Sequence, residues 1–350
     1  MYIEQISPFN KSKRQAMQAL LVKEGIQEDR NLEDSFGLFD QDDQLMATAS
    51  TFKNTIRCLA VDQSHQGLGL INRLLTHVLE HLLQKGHHHV FIYTKPIYRD
   101  QFRSLGFTVI AEVPETLLFM ENQAKAFDHY LEDLKGESPQ AALTLERHQV
   151  GAIVMNANPF TKGHLALIEH ALQSVEWLHL FVVSEDQSEV PFSLRRQLVQ
   201  AGISHLDRVT LHETGPYLVS TATFPSYFLK EEDLVIQSQV RLEAQMFSKI
   251  ANQLGIGRRF LGSEPKSRVT GLYNQGLKQY LSPDIEVIEI ERVQIQGQVI
   301  SASTVRQLLK EGKIDQAISF LPETTAQFLR TDQGQAIIES LKAKENVIHY

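Results

Sequence analysis

Apolar positions along the chain fall into two regimes, and each predicts a different architecture. Up to about residue 120, short strand-like runs at Phe36–Phe39, Leu45–Phe52 and Thr55–Val61 lead into one long helical pattern. There Leu70, Ile71, Leu74, Leu75, Val78, Leu79, Leu82 and Leu83 recur at helical spacing, and Lys85-Gly86 closes the pattern. A strand at His89–Tyr93 follows, then a polar segment and Leu105-Gly106-Phe107. From Gln149 onward the rhythm changes. Apolar runs at Gln149–Met155, Leu178–Val183, Val209–His212, Arg259–Gly262 and Ile285–Ile290 alternate with helical patterns, the first made by Leu165, Leu167, Ile168, Ala171 and Leu172. Strands alternating with helices predict a parallel sheet with crossovers on both faces. Between the two regimes, residues 121–147 are charged and interrupted by Gly136 and Pro139, which predicts a connecting helix and loop.

The length of 350 residues fits two domains, here 1–120 and 148–350 with 121–147 as linker. With 42% hydrophobic and 22% charged residues, both can build ordinary globular cores. The formal charge of −8 argues against general nucleic-acid binding, which needs clustered Lys and Arg. The single cysteine, Cys58, allows neither a disulfide framework nor a cysteine-rich metal site, and its place in a predicted strand makes it a core residue. The N-terminal stretch has no apolar segment of signal-peptide length, and no uncharged run reaches membrane-spanning length. The expectation is a soluble, cytoplasmic protein with no membrane partner.

Candidate chemistry concentrates at two helix starts of the second domain. Asn156–His164, NANPFTKGH, joins the first strand of the parallel sheet to its first helix. Ligands of open parallel sheets bind beyond the carboxyl ends of strands. Pro159 stiffens this turn, Gly163 lets the backbone approach a phosphate, and the amides of a helix start attract anions. His164 falls in the first helical turn, where its ring can donate to phosphate oxygens. Asn156, Asn158, Pro159, Phe160 and Gly163 are therefore candidate nucleotide-binding positions. Ile300–Arg306, ISASTVR, opens what reads as the last helix of the domain. Ser301 or Ser303 can cap it, Val305, Leu308 and Leu309 form its inner face, and Arg306 can point toward a ligand.

Thr161-Lys162-Gly163-His164 resembles the T/H-x-G-H signature of the nucleotidyltransferase superfamily, with threonine in place of the first histidine, and Ile300–Arg306 resembles its I-S-x-S-x-x-R motif. The resemblance implies that Thr161 and His164 bind a triphosphate and stabilise transition-state charge, and that Ser301, Ser303 and Arg306 hold the β- and γ-phosphates. Gln66-Gly67-Leu68-Gly69, ahead of the long helix, resembles motif A of the GNAT N-acetyltransferase fold, although Ile71 stands where a small residue is usual. Leu105-Gly106-Phe107 resembles that fold's late G-F element. The fold class expected is thus an N-terminal GNAT-like α+β domain followed by a Rossmann-like parallel-sheet nucleotidyltransferase domain.

This order of domains is similar to the citrate lyase ligase family, as are Ser184–Phe192, Tyr217–Lys230, Phe260–Pro265 and Val269–Asn274. That resemblance implies ATP and Mg²⁺ as cofactors, acetate as substrate, and acetyl-AMP as intermediate. The acceptor it implies is a thiol on the CoA-like prosthetic group of the citrate lyase acyl carrier subunit. Mg²⁺ would keep most of its ligands from ATP and water, without a dedicated carboxylate cage. The GNAT-like domain is expected to hold a CoA-like group or to serve as scaffold. An alternative is a plain adenylyltransferase acting on a mononucleotide or pantetheine-like acceptor; a further one is a non-catalytic nucleotide sensor. Several other residues carry weaker signals. Arg195 or Arg196 can reach a phosphate or lie on a solvated face. Glu185, Asp186 and Glu189 can help place Mg²⁺ or favour a helix start. Tyr217, Thr221 and Thr223 can line the substrate site, and Glu264 can contact adenosine. His87-His88-His89 alternate in direction along a strand and cannot easily converge on one ion.

Overall fold

The computed structural model describes residues 1–343 except 66–68, 186–187, 219–223, 225–231, 264–267, 282, 293 and 296–297. The chain forms two compact units, Met1–Phe127 with Phe224–Leu242, and Asp128–Thr223 with Glu243–Tyr350.

The first unit runs β1 (Tyr2–Gln5), α1 (Lys11–Lys23), β2 (Asp34–Phe39), β3 (Leu45–Phe52), β4 (Thr55–Val61), α2 (Leu70–Gln84), β5 (Phe91–Thr94), α3 (Arg99–Ser104), β6 (Thr108–Val113) and β7 (Leu117–Glu121). The strands form one seven-stranded sheet in the order β1-β2-β3-β4-β5-β7-β6. Every neighbouring pair is antiparallel except β4 and β5. The apolar stripe on α2 buries Leu70, Leu74, Leu75, Val78 and Leu82 against β2 and β3, as its helical spacing predicts. The parallel pair β4–β5 is matched only at Thr55↔Phe91 and Ile56↔Ile92. Beyond that point the strands part, and Leu59, Ala60 and Val61 face Tyr93, Thr94 and Lys95 across a cavity of about 450 Å³. Cys58, at the start of the splay, has φ of +50° and is fully buried.

The second unit contains most of α4 (Ala126–Glu137), then α5 (Gln140–Leu143), β8 (Val150–Met155), α6 (Lys162–Ala171), β9 (Trp177–Val182), α7 (Phe192–Gly202), β10 (Val209–Glu213), the latter part of α8 (Glu232–Leu254), β11 (Arg258–Gly262), α9 (Arg268–Tyr280) and β12 (Glu286–Ile290). The short hairpin of β13 (Gln294–Ile295) and β14 (Gln298–Val299) leads to α10 (Ala302–Lys310), α11 (Ile314–Ser319), α12 (Glu323–Leu329) and α13 (Asp332–Ala343). The five longer strands form a parallel sheet in the order β10-β9-β8-β11-β12. From β8 the chain winds outward to β10, then returns to add β11 and β12 on the other side. The switch point of the topology lies between β8 and β11, the expected place for a ligand.

The expected α+β first unit and parallel-sheet second unit are both present. Two expectations change. The helix opened by Ser301 is not the last: α11, α12 and α13 follow and build a small core of their own with α10, through Val305, Leu309, Phe320 and Ile338. From Asp128 onward the charged segment read as a connector belongs to the second unit: Tyr130 in α4 donates its hydroxyl to the Glu213 carbonyl at 3.0 Å, and Glu137 pairs with His212 at 2.6 Å.

Candidate active site

A cavity of about 260 Å³ opens at the carboxyl ends of β8, β11 and β12. Its wall includes Asn156, Thr161, Gly163 and His164 from the first motif, Gly262 at the end of β11, Glu291 and Arg292 past β12, and Ile300, Ser301 and Ala302 from the second motif. The N-termini of α6 and α10 thus both meet this space, and each contributes partial positive charge.

Local chemistry explains how α6 begins there. Thr161 is the N-cap: its Oγ1 accepts the His164 backbone N–H at 3.4 Å, and His164 Nδ1 accepts the Thr161 backbone N–H at 3.0 Å. This reciprocal capping box fixes the tautomer of the imidazole. With Nδ1 accepting, the proton of the neutral ring sits on Nε2. Burial, together with the positive charge of Arg292, lowers the His164 pKa to about 4, so the ring is neutral at pH 7. Phe160 stacks on it with ring centroids 5.8 Å apart, and is itself fully buried against Gly202, where a Cβ would lie 2.5 Å from the phenyl ring.

Gly163 has a packing reason in addition to the phosphate one. A Cβ there would meet the Ile300 carbonyl at 3.1 Å, so the glycine lets the start of α6 lie close to the chain that enters α10. Ser301, not Ser303, caps α10, its Oγ accepting the Thr304 N–H at 3.0 Å. Ser303 Oγ lies 2.9 Å from Ser301 Oγ.

Other candidates stand behind the wall. Asn158 is buried; its Nδ2 donates to Glu189 Oε2 at 2.7 Å, and its Oδ1 accepts the Val190 N–H at 3.0 Å. Pro159 follows through a cis peptide bond and is buried. Arg306, expected to point at a ligand, is turned into the protein. Its Nη1 donates to the Asn158 carbonyl at 2.7 Å, and its Nε lies 3.5 Å from Glu189 Oε2, with both side chains under 5% exposed. Arg195 lies neither on the cavity wall nor in contact with solvent. It is fully buried, and donates to the carbonyls of Asn156, Val183, Glu185 and Val190 at 2.6–3.0 Å. Arg196 is half-buried and paired with Glu213. Tyr217 is buried against Tyr130. Gln66, Gly67, Leu68, Asp186, Thr221, Thr223 and Glu264 lie outside the described residues.

Sequence reasoning missed Glu291, Arg292 and His170 on the cavity wall. The first two immediately follow the Ile285–Ile290 run, and the carboxyl end of a parallel strand was the signal that could have found them. Among the described residues, no group of three or more His, Cys, Asp or Glu is placed to hold a metal ion. Cys58 is no nucleophile: burial pushes its thiol up to about 12.

Residues 150–329 match the citrate lyase ligase C-terminal domain family, and residues 3–107 the acetyltransferase (GNAT) family. The citrate (pro-3S)-lyase ligase of Escherichia coli strain K12 is 38% identical over 297 residues, 83% of this chain and 83% of that protein. The protein of the same name from Haemophilus influenzae is 36% identical over 337 residues, 94% of this chain and 98% of that one. The one from Klebsiella pneumoniae is 38% identical over 292 residues, 82% and 84% of the two chains. Among solved structures, Escherichia coli ElaA is 19% identical with a TM-score of 0.32, over 35% of this chain and all of its own. An aminoglycoside 6′-N-acetyltransferase complexed with coenzyme A is 12% identical with a TM-score of 0.30, over 35% of this chain and 96% of its own.

Proposed function

The chain belongs to the citrate lyase ligase family, and from that premise we propose that it couples ATP cleavage to acetylation of the CoA-like prosthetic group on the citrate lyase acyl carrier subunit. It is a ligase, and its relatives' shared name makes citrate lyase the enzyme it activates.

In the proposed reaction an acetate oxygen attacks the α-phosphorus of ATP, the bond to the β-phosphate breaks, and pyrophosphate leaves with acetyl-AMP retained. The prosthetic-group thiol then attacks the acetyl carbonyl, the thiol proton is lost, and AMP departs to leave a thioester. The observation that carries this reading is the neutral His164, tied through Nδ1 to the Thr161 amide on the wall of a cavity between two helix N-termini. A neutral imidazole with its proton on Nε2 is a hydrogen-bond donor whatever the pH between 5 and 8. Prepositioned donors of this kind stabilise charge that develops on phosphate oxygens. Thr161 and Ser301 set the helix starts, while Gly163 lets them converge. Asn158, Pro159 and Phe160 shape the loop from behind, with Arg306 gripping it. Mg²⁺ supplies charge neutralisation to the triphosphate. Glu291 is the one carboxylate on the described wall, and one carboxylate with phosphate oxygens is a set this ion takes readily.

The cavity in the first unit supports a place for the thiol's carrier. Where β4 and β5 part, their backbone edges line about 450 Å³ beside Tyr98 and Gln101, and an amide-bearing pantetheine-like arm can pair with such edges. The thiol itself must come from that partner, because Cys58 is the only cysteine and is sealed in the core.

The test is pyrophosphate release from ATP and Mg²⁺, with and without acetate, in the presence of hydroxylamine. Acetate-dependent release with formation of acetyl hydroxamate is expected. Release that needs no acetate, or none at all with acetate present, contradicts the proposal.

A further inference from the structure

Three arginines stand near the two loop–helix motifs, and the structure separates their roles. Arg195 holds main-chain carbonyls, and Arg306 grips Asn158 and Glu189 behind the wall. Arg292 lines the cavity itself, and its guanidinium is the one permanent positive charge among the described lining residues. The two histidines on the wall, His164 and His170, carry no fixed charge, and Glu291 adds a negative one. Arg292 is anchored to the exit of β11 twice: its backbone N–H donates to Ser263 Oγ at 3.3 Å, and its Nε to the Ser263 carbonyl at 2.7 Å. That anchoring holds the side chain at the same end of the sheet as His164, close enough for its charge to act on that ring.

Resting on the reading of this cavity as the ATP site, we propose that Arg292 is its phosphate-binding cation, receiving the β- and γ-phosphates and the departing pyrophosphate. Helix N-termini offer only fractional charge, and neutral His164 offers a hydrogen bond without charge. A guanidinium fork offers both a full charge and several coplanar donors. Arg306 is then a positioning residue, acting on the nucleotide through the loop it holds.

Calorimetric binding of ATP with Mg²⁺, and separately of AMP, to the full chain and its variants tests this. Arg292→Gln is expected to weaken ATP roughly 10- to 100-fold, the loss of charge-assisted hydrogen bonds, while AMP changes by less than about threefold. Arg292→Lys, which keeps the charge but not the fork, falls between, and stands in if the glutamine variant does not fold. Arg306→Lys is expected to affect ATP and AMP alike. A nuclear magnetic resonance titration of the His164 ring, which needs no activity, should show its pKa rising in Arg292→Gln. ATP affinity unchanged in both Arg292 variants overturns the proposal. So does a raised KM for acetate with ATP affinity intact, which places Arg292 on the acid's carboxylate instead. A wild-type chain that binds neither nucleotide overturns the underlying reading, and this inference with it.

Discussion

His164 owes its neutral state to burial and the nearby charge of Arg292, and its tautomer to one hydrogen bond. Because Nδ1 accepts the Thr161 amide, protonating the ring would break the capping box as well as place a charge beside Arg292. Its folded pKa of about 4 lies below the ordinary value of roughly 6.5. The rate profile of pyrophosphate release should therefore show no acid limb from this residue near pH 6.5; a limb there that disappears in His164→Gln would contradict the assignment. His164→Ala should slow pyrophosphate release by roughly 10²–10³-fold with the fold retained, the usual cost of one transition-state donor. Gly202→Ala tests the support behind the ring. A Cβ placed 2.5 Å from Phe160 overpacks the core, so thermal or denaturant unfolding should show a loss of about 1–3 kcal/mol. Residue type and spacing made His164, Thr161 and Gly163 legible in the sequence. They could not reveal the direction of Arg195 or Arg306. Both sit at helix starts where a ligand-facing arginine and a loop-gripping one have the same pattern, and only the carbonyls they meet distinguish them.

Between elements, buried polar pairs tie the sheet to its surroundings. His179 on β9 and His212 on β10 share a hydrogen bond of 2.9 Å, and Glu137 of α4 completes the chain. Burial, with the neighbouring His212, lowers the His179 pKa to about 3, and burial outweighs Glu137 in lowering that of His212. The sign follows directly: folded, His179 stays neutral and His212 takes up a proton less readily than normal, while in the unfolded chain both rings gain protons below about 6.5. Stability should fall as pH drops through 6.5. Replacing His179 by a neutral residue should flatten that limb of a denaturant-derived stability profile, whereas an unchanged limb would count against the pair. The link from α10 to the motif loop is a second such tie. Arg306→Met leaves Glu189 buried without its cation and should cost about 3–5 kcal/mol in denaturant unfolding, with part recovered by adding Glu189→Gln. Sequence periodicity found α2 and the strands of the parallel sheet, because one face or both faces of each are consistently apolar. It did not find β6 and β7. Leu117–Glu121 is buried at every position, so no alternation marks it, and its glutamate is hidden by pairing with His89.

At the scale of the molecule, two units of different architecture carry two different cavities, each where a sheet offers backbone or helix ends to a ligand. No helix among the described residues is long and apolar enough to cross a membrane. The order of the units was readable because antiparallel and parallel sheets impose different hydrophobic rhythms on the chain. The wall of the second unit's cavity was readable chiefly where it coincided with a helix start. Glu291 and Arg292 follow a strand into a loop and carry no periodicity. The central claim is that acetate attacks the α-phosphate of ATP in the second unit. It is tested most directly with acetate labelled with ¹⁸O in its carboxylate, ATP, Mg²⁺ and the deacetylated acyl carrier subunit, followed by mass analysis of the nucleotide. One ¹⁸O atom in each AMP formed is predicted, because thiolysis at the acetyl carbonyl leaves the bridging oxygen on phosphorus. Unlabelled AMP, or label in inorganic phosphate with ADP as product, would contradict the account.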